Sequence, residues 1–391
     1  ALLGEYYNYR ITAIGAGLIK PRWTLSIEEA IGKSRSLSVS LKAKTALYFI
    51  SRGSGENKDN RPIKGDYYLT DEEKEGLTKA KKEYEDVVLI LNTGYPIEMG
   101  FIESLGFSAV IWTGFSGQRG SESLIDILLG GVNPSGRLSD TWALDYYDYP
   151  SAHNFINLDE KSPVYSDDGK KYGAKLYYEE NQFVGYRYFD RYQKKVTYSF
   201  GHGLSYTDFE VKANAEFKNG MLSVTCSVRN LGTRLGKYSV LVYVESPSGR
   251  LTKPKRVFCG FDKTGLLGLN QEQVLDIRIP AKDFAVYDDK ETSFVLEKGE
   301  YVVYVGGSIE EAKKIGSFLL DKEEVIERSV SVCSPLEEVG SIDEQGRVKE
   351  KSRIVSHDKI IAKPAYYVKR DYPMLDKYHG KTITLSDVKK D

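Results

Sequence analysis

Cysteine and histidine are scarce in this chain. Its three cysteines, Cys226, Cys259 and Cys333, are odd in number and far apart, which excludes a disulfide framework and a CxxC-type metal or redox site. The four histidines, His153, His202, His357 and His379, are too widely spaced for a local pair of metal ligands, so neither a metal nor a cofactor is expected. A surplus of one charge sign is also lacking. Lys plus Arg number 55 against 56 for Asp plus Glu, a net charge of -1, and no nucleic-acid or acidic-lipid partner is implied. No apolar run approaches the roughly 20 residues of a membrane-spanning helix. What is present suffices for a core, with 41% hydrophobic against 28% charged residues, and 391 residues predict two or three domains at roughly 150 each. Tyrosine is unusually common, 29 against 15 phenylalanines, a side chain that suits sugar clefts and equally well wet surfaces.

The first 140 residues read as α/β. Three continuous apolar runs, Thr45 to Ile50 (TALYFI), Val87 to Leu91 (VVLIL) and Ser108 to Trp112 (SAVIW), each end in turn residues. Such runs suit strands buried on both faces of a mostly parallel sheet. Helices are predicted between and around them. One spans Ser26 to about Ser36. A second opens on the capping box Thr70 to Glu73 and runs to about Glu85. A third lies from near Pro96 to about Leu105, and a fourth from Ser121 to Leu129. Three strands are few for a free-standing sheet, and the first part of the domain is expected to lie outside this chain. From 141 to 205 the periodicity dissolves into a Tyr-rich connecting segment.

Residues 206–320 change character. Leu222 to Val228, Ser239 to Val244, Val274 to Ile279, Ser293 to Leu296 and Tyr301 to Val305 alternate as short strands between turn signals, predicting a fibronectin III-like β-sandwich. Residues 321–391 read as a charged linker.

Among candidate chemical groups, Gly114 to Gly117 lacks the spacing of a nucleophile elbow, and Gly130 to Gly136 lacks the Lys-Ser/Thr of a P-loop. Glu56 is the sharper candidate. It lies on a Gly-flanked loop just past the carboxyl end of a buried strand, where α/β sites are built, with Ser54, Gly55, Asn57, Asp59 and Arg61 around it. A carboxyl there suits a general acid if a hydrophobic cleft surrounds it. A solvated surface glutamate is the competing reading.

Several blocks taken together resemble glycoside hydrolase family 3. They are Ser51 to Arg61 (SRGSGENKDNR), Gly65-Asp66, Gly117 to Gly120 (GQRG), Leu129 to Leu138 (LGGVNPSGRL), Tyr178 to Glu180 (YEE), Val184 to Tyr188 (VGYRY) and Tyr198 to Tyr206 (YSFGHGLSY). The resemblance extends over about residues 25–320. It implies a retaining exo-β-glycosidase of β-glucosidase type, acting on a β-glucoside or oligosaccharide. Glu56 would be the acid/base, with Ser54, Asn57, Asp59 and Arg61 near the substrate or ordering the loop. The alternatives are β-xylosidase or arabinosidase activity, or a non-catalytic carbohydrate-binding or scaffold role. The family's nucleophile is an Asp on a TIM barrel. A barrel needs on the order of 250 residues, and only 55 precede Glu56. The barrel is therefore expected outside this chain as its partner, with this chain the amino-terminal half of a domain-permuted member.

Overall fold

The computed structural model describes residues 1–15, 18–40, 42–56, 59–155, 172–175, 177–330, 340–348 and 353–356. Four parallel strands, β1 (Leu2–Gly4), β2 (Thr45–Ser51), β3 (Asp86–Asn92) and β4 (Ala109–Trp112), lie side by side in that order. The apolar runs behave as double-faced strands. Phe49 and Ile90 point to one face and meet α1 (Ile27–Lys33) and α4 (Gly120–Leu128). Ile50, Leu89 and Leu91 point to the other and meet α2 (Asp71–Glu83) and α3 (Gly100–Leu105). The Thr70–Glu73 capping box forms as its spacing predicts. Strand β1 is the addition: three residues beside β2 that carry too little periodicity to read as a strand.

The described residues of the Tyr-rich segment hold more regular structure than their sequence suggests. Strand β5 (Trp142–Ala143) precedes β6 (Tyr172–Lys175), α5 (Tyr186–Arg191) and β7 (Val196–Tyr198), and β5 pairs with β7. Its aromatic rings pack edge to face, with Tyr149 on Phe189 and Trp142 on both Trp112 and Tyr198. This belt joins the α/β domain to an antiparallel sandwich of β8 (Phe209–Lys218), β9 (Met221–Asn230), β10 (Ser239–Glu245), β11 (Arg256–Lys263), β12 (Glu272–Pro280), β13 (Val286–Asp288), β14 (Ser293–Leu296), β15 (Gly299–Gly306), β16 (Lys313–Leu320) and β17 (Glu324–Arg328). Sheets ordered β11-β10-β15-β16 and β12-β9-β8 enclose one core, and β13-β14-β17 forms a smaller sheet. The sandwich thus continues past residue 320 into β17, and a further strand, β18 (Arg353–Ser356), pairs with β6. Burial pushes the Cys226 thiol up to about 11 and the Cys259 thiol up to about 12, so both are packing residues rather than nucleophiles. Cys333 lies outside the described residues.

Side-chain contacts among the described residues fix the domains to each other. Arg256 of β11 makes a two-pronged ion pair with Asp190 of α5, at 2.6 and 3.1 Å. Asn133, in the turn after α4, accepts from Ser205 and the Tyr206 backbone and donates to the Leu235 carbonyl.

The start of the chain is held tightly against β2. Gly4 sits at φ 68° with its α-carbon against the Phe49 carbonyl and the Tyr48 ring, so any side chain would collide there. Gly4→Ala is expected to lower stability by about 2 kcal/mol, measured by urea unfolding. An unchanged midpoint would mean that this segment is not docked on β2.

Candidate functional site

The carboxyl ends of β2 and β3 carry the site. A parallel sheet leaves its last carbonyl and amide groups unpaired there, and polar side chains take them up. Asn92, fully buried at the end of β3, does most of this. Its Nδ2 donates to the carbonyls of Arg10 at 2.8 Å and Gly114 at 2.7 Å, while its Oδ1 accepts from the Arg10 amide and the Ser51 hydroxyl. Glu5 accepts from the Ser51 amide at 3.0 Å. Residues 5–15 are thereby strapped over the strand ends, and the Ile14 amide donates to the Ser54 carbonyl at 2.9 Å.

Beyond β2 the chain turns through Arg52, Gly53, Ser54 and Gly55 to Glu56. Arg52 is only 6% exposed. Its guanidinium grips Glu73 with two bonds of 2.7 Å and donates to the backbone carbonyls of Asp66 and Ser51. Burial works against the Arg52 charge, but the Glu73 carboxylate outweighs it and holds the group above its usual range. Glu73 also accepts from the Thr70 amide, so a single carboxylate caps α2 and anchors the loop.

Asp66 closes the other side. It is buried, accepts from Tyr95 Oη at 2.5 Å, and pairs with Arg61 Nε at 3.1 Å. Burial, and then this bond to Asp66, push the Tyr95 phenol well above its ordinary value. Asn60 donates to the Pro96 carbonyl at 3.2 Å, and its own backbone carbonyl accepts from Tyr146 at 3.1 Å.

Of the residues named from the sequence, Glu56 stands exposed at the tip of this braced loop. Ser54 packs its hydroxyl against Gly94, where no larger residue fits. Arg61 orders the loop through Asp66. Asp59 is exposed and makes no ion pair or hydrogen bond among the described residues. Asn57 lies outside the described residues. Sequence reasoning misses the bracing residues Arg52, Glu73, Asn92 and Tyr95. Their bracing rests on contacts between residues distant in sequence, such as Arg52 with Glu73 and Asn92 with Arg10, which no local pattern shows.

Chemically, the arrangement holds two exposed carboxyls, Glu56 and Asp59, at the mouth of a parallel sheet, on a loop fixed from both ends. Comparison with known proteins fits this geometry. Residues 1–206 match the glycosyl hydrolase family 3 C-terminal domain, and residues 238–309 match the fibronectin type III-like domain. The chain belongs to glycoside hydrolase family 3. It is 40% identical over 298 residues to a beta-glucosidase of Ruminococcus albus, covering 75% of this chain and 30% of that protein. Identity to beta-glucosidase A of Butyrivibrio fibrisolvens is 32%, over 82% of this chain and 42% of the relative. The solved structure of beta-glucosidase 3B from Thermotoga neapolitana in complex with glycerol superposes with a TM-score of 0.74 at 31% identity, over 83% of this chain and 50% of that one. The chain thus spans half or less of each of these relatives.

Arg52 and Arg61 separate by burial. Arg52→Met strands Glu73 without its charge partner and is expected to cost about 3 kcal/mol. Arg61 is 37% exposed, and its buried partner Asp66 keeps the Tyr95 hydrogen bond, so Arg61→Ala should cost less, about 1–2 kcal/mol. Urea melts of the two variants measure the difference, and equal losses would contradict this division of labour.

Proposed function

We propose that this chain is the acid/base-bearing part of a retaining exo-acting β-glucosidase, with a TIM barrel outside it supplying the carboxylate nucleophile. One observation carries the reading. Glu56 projects from the carboxyl end of strand β2 on a loop that Arg52, Asp66 and Asn60 hold in place, and its carboxyl makes no hydrogen bond or ion pair among the described residues. The names of the relatives, beta-glucosidases from several organisms, support the substrate class.

In the first step the nucleophile attacks the anomeric carbon while Glu56 gives its proton to the departing glycosidic oxygen. The leaving alcohol departs and a glycosyl-enzyme remains. In the second step Glu56, now a carboxylate, takes a proton from water as that water attacks the same carbon, which releases glucose and frees the nucleophile. Both steps need the two carboxyls about 5–5.5 Å apart. General-acid work also needs a water-poor setting. Glu56 is open to solvent on this chain, so the facing surface must exclude water when the barrel docks.

Glu56→Gln in the complete enzyme should slow cellobiose hydrolysis by about 10²–10⁴-fold. Nitrophenyl glucosides, whose leaving groups need little protonation, should lose less in the first step. Azide, which attacks without a general base, should restore the second. Near wild-type turnover of cellobiose by this variant would sink the assignment.

A further inference from the structure

The turn that leads to Glu56 runs through Gly53, Ser54 and Gly55. Glycines leave a backbone free to wander unless something holds it. Segment 10–15 holds it. The Ile14 amide donates to the Ser54 carbonyl at 2.9 Å, and Ile14 forms a parallel bridge with Gly55. Both glycines make room for this segment. A β-carbon at Gly53 would lie 3.3 Å from the Arg10 guanidinium carbon, and one at Gly55 would collide with the Ile14 carbonyl. Gly15 reaches Glu56 itself. A β-carbon there would lie 3.9 Å from Cβ of Glu56 and 3.8 Å from its amide nitrogen, ordinary contact distances.

Segment 10–15 belongs to no helix or strand, so its place must be set by other groups. Asn92 is the chief of them. It accepts from the Arg10 amide at 2.5 Å and donates to the Arg10 carbonyl at 2.8 Å, as a neighbouring strand would. The same side chain accepts from the Ser51 hydroxyl at the end of β2 and donates to the Gly114 carbonyl just past β4. Two bonds donated and two accepted use the full capacity of a primary amide. The Gly117 amide adds a bond of 2.9 Å to the Ile11 carbonyl. One buried side chain thus gathers three strand ends and the segment that backs Glu56.

We infer that Asn92 is a positioning residue for Glu56: it pins segment 10–15, and that segment backs the glycine-rich turn from which the Glu56 carboxyl projects. The inference rests on the acid/base reading of Glu56. Proton transfer depends steeply on placement, and a shift of about 1 Å can cost about 10²-fold in rate. With the segment released at Arg10, Glu56 keeps its chemistry but not its place.

The test uses the complete enzyme and two substrates. Cellobiose has a leaving group that needs a proton, and 2,4-dinitrophenyl β-glucoside has one that does not. Asn92→Ser should lower kcat/KM for cellobiose at least about tenfold more than for the dinitrophenyl glucoside. A merely structural role, felt as a smaller folded fraction, lowers both alike. Gly55→Ala, which drives a methyl group against the Ile14 carbonyl, should reproduce the split and decides the matter if Asn92→Ser does not fold. Equal losses on the two substrates in either folded variant would overturn the inference. Glu56→Gln is measured beside them. A split in Glu56→Gln with equal losses in the others defeats the inference and leaves the acid/base reading standing, whereas no split in Glu56→Gln defeats both.

Discussion

A charge buried at the end of a strand must be met by fixed partners, and Arg52 is that charge. Its two bonds to Glu73 tie the loop to the first turn of α2, and its bond to the Asp66 carbonyl ties it to the returning chain. Removing the pair would take away the direct tie between the first turn of α2 and the strand end. Because Glu73 also caps the helix, the position of the loop is locked to an element that packs on the central sheet. Glu56 follows on that braced loop, and its carboxyl, open to solvent on this chain, would need a facing surface that excludes water before it could serve as a general acid.

The second constraint is aromatic. Tyrosines around the connecting belt do three jobs that phenylalanine would not. Tyr146 bonds the Asn60 carbonyl, Tyr95 bonds Asp66, and Tyr186 bonds the sandwich backbone at Phe258. Each ring is packed at its body and hydrogen-bonded at its tip. The fibronectin-like sandwich is thus tied to α5 through side chains, and the Arg256–Asp190 pair reinforces the same junction.

Much of the fold was legible because double-sided burial leaves an uninterrupted apolar run, as in β2 and β3, and because Thr70 and Glu73 carry their cap in their spacing. Other parts were not. Strand β1 has only three residues, too few for a period. Strand β8 alternates, but Ala213 and Ala215 sit at its inward positions and weaken the contrast. Register shifts against their neighbours interrupt β11 and β16. At the site, the place of Glu56 after β2 was readable from the run and the glycines. Its role rested on the resemblance of the whole loop, since a lone exposed glutamate carries no chemical signature. Arg52 was hidden because burial of a charge depends on contacts 14 and 21 residues away, which no local pattern reveals.

The proposed role of Glu56 requires it to face a carboxylate nucleophile, which the proposal places on a barrel outside this chain. The most direct measurement is a crystal structure of the complete enzyme trapped with a 2-deoxy-2-fluoroglucoside. The sugar should be bonded to a barrel carboxylate, with the Glu56 carboxyl about 5–5.5 Å from it. A covalent label on a residue of this chain, or Glu56 turned away from the bound sugar, would contradict the acid/base assignment.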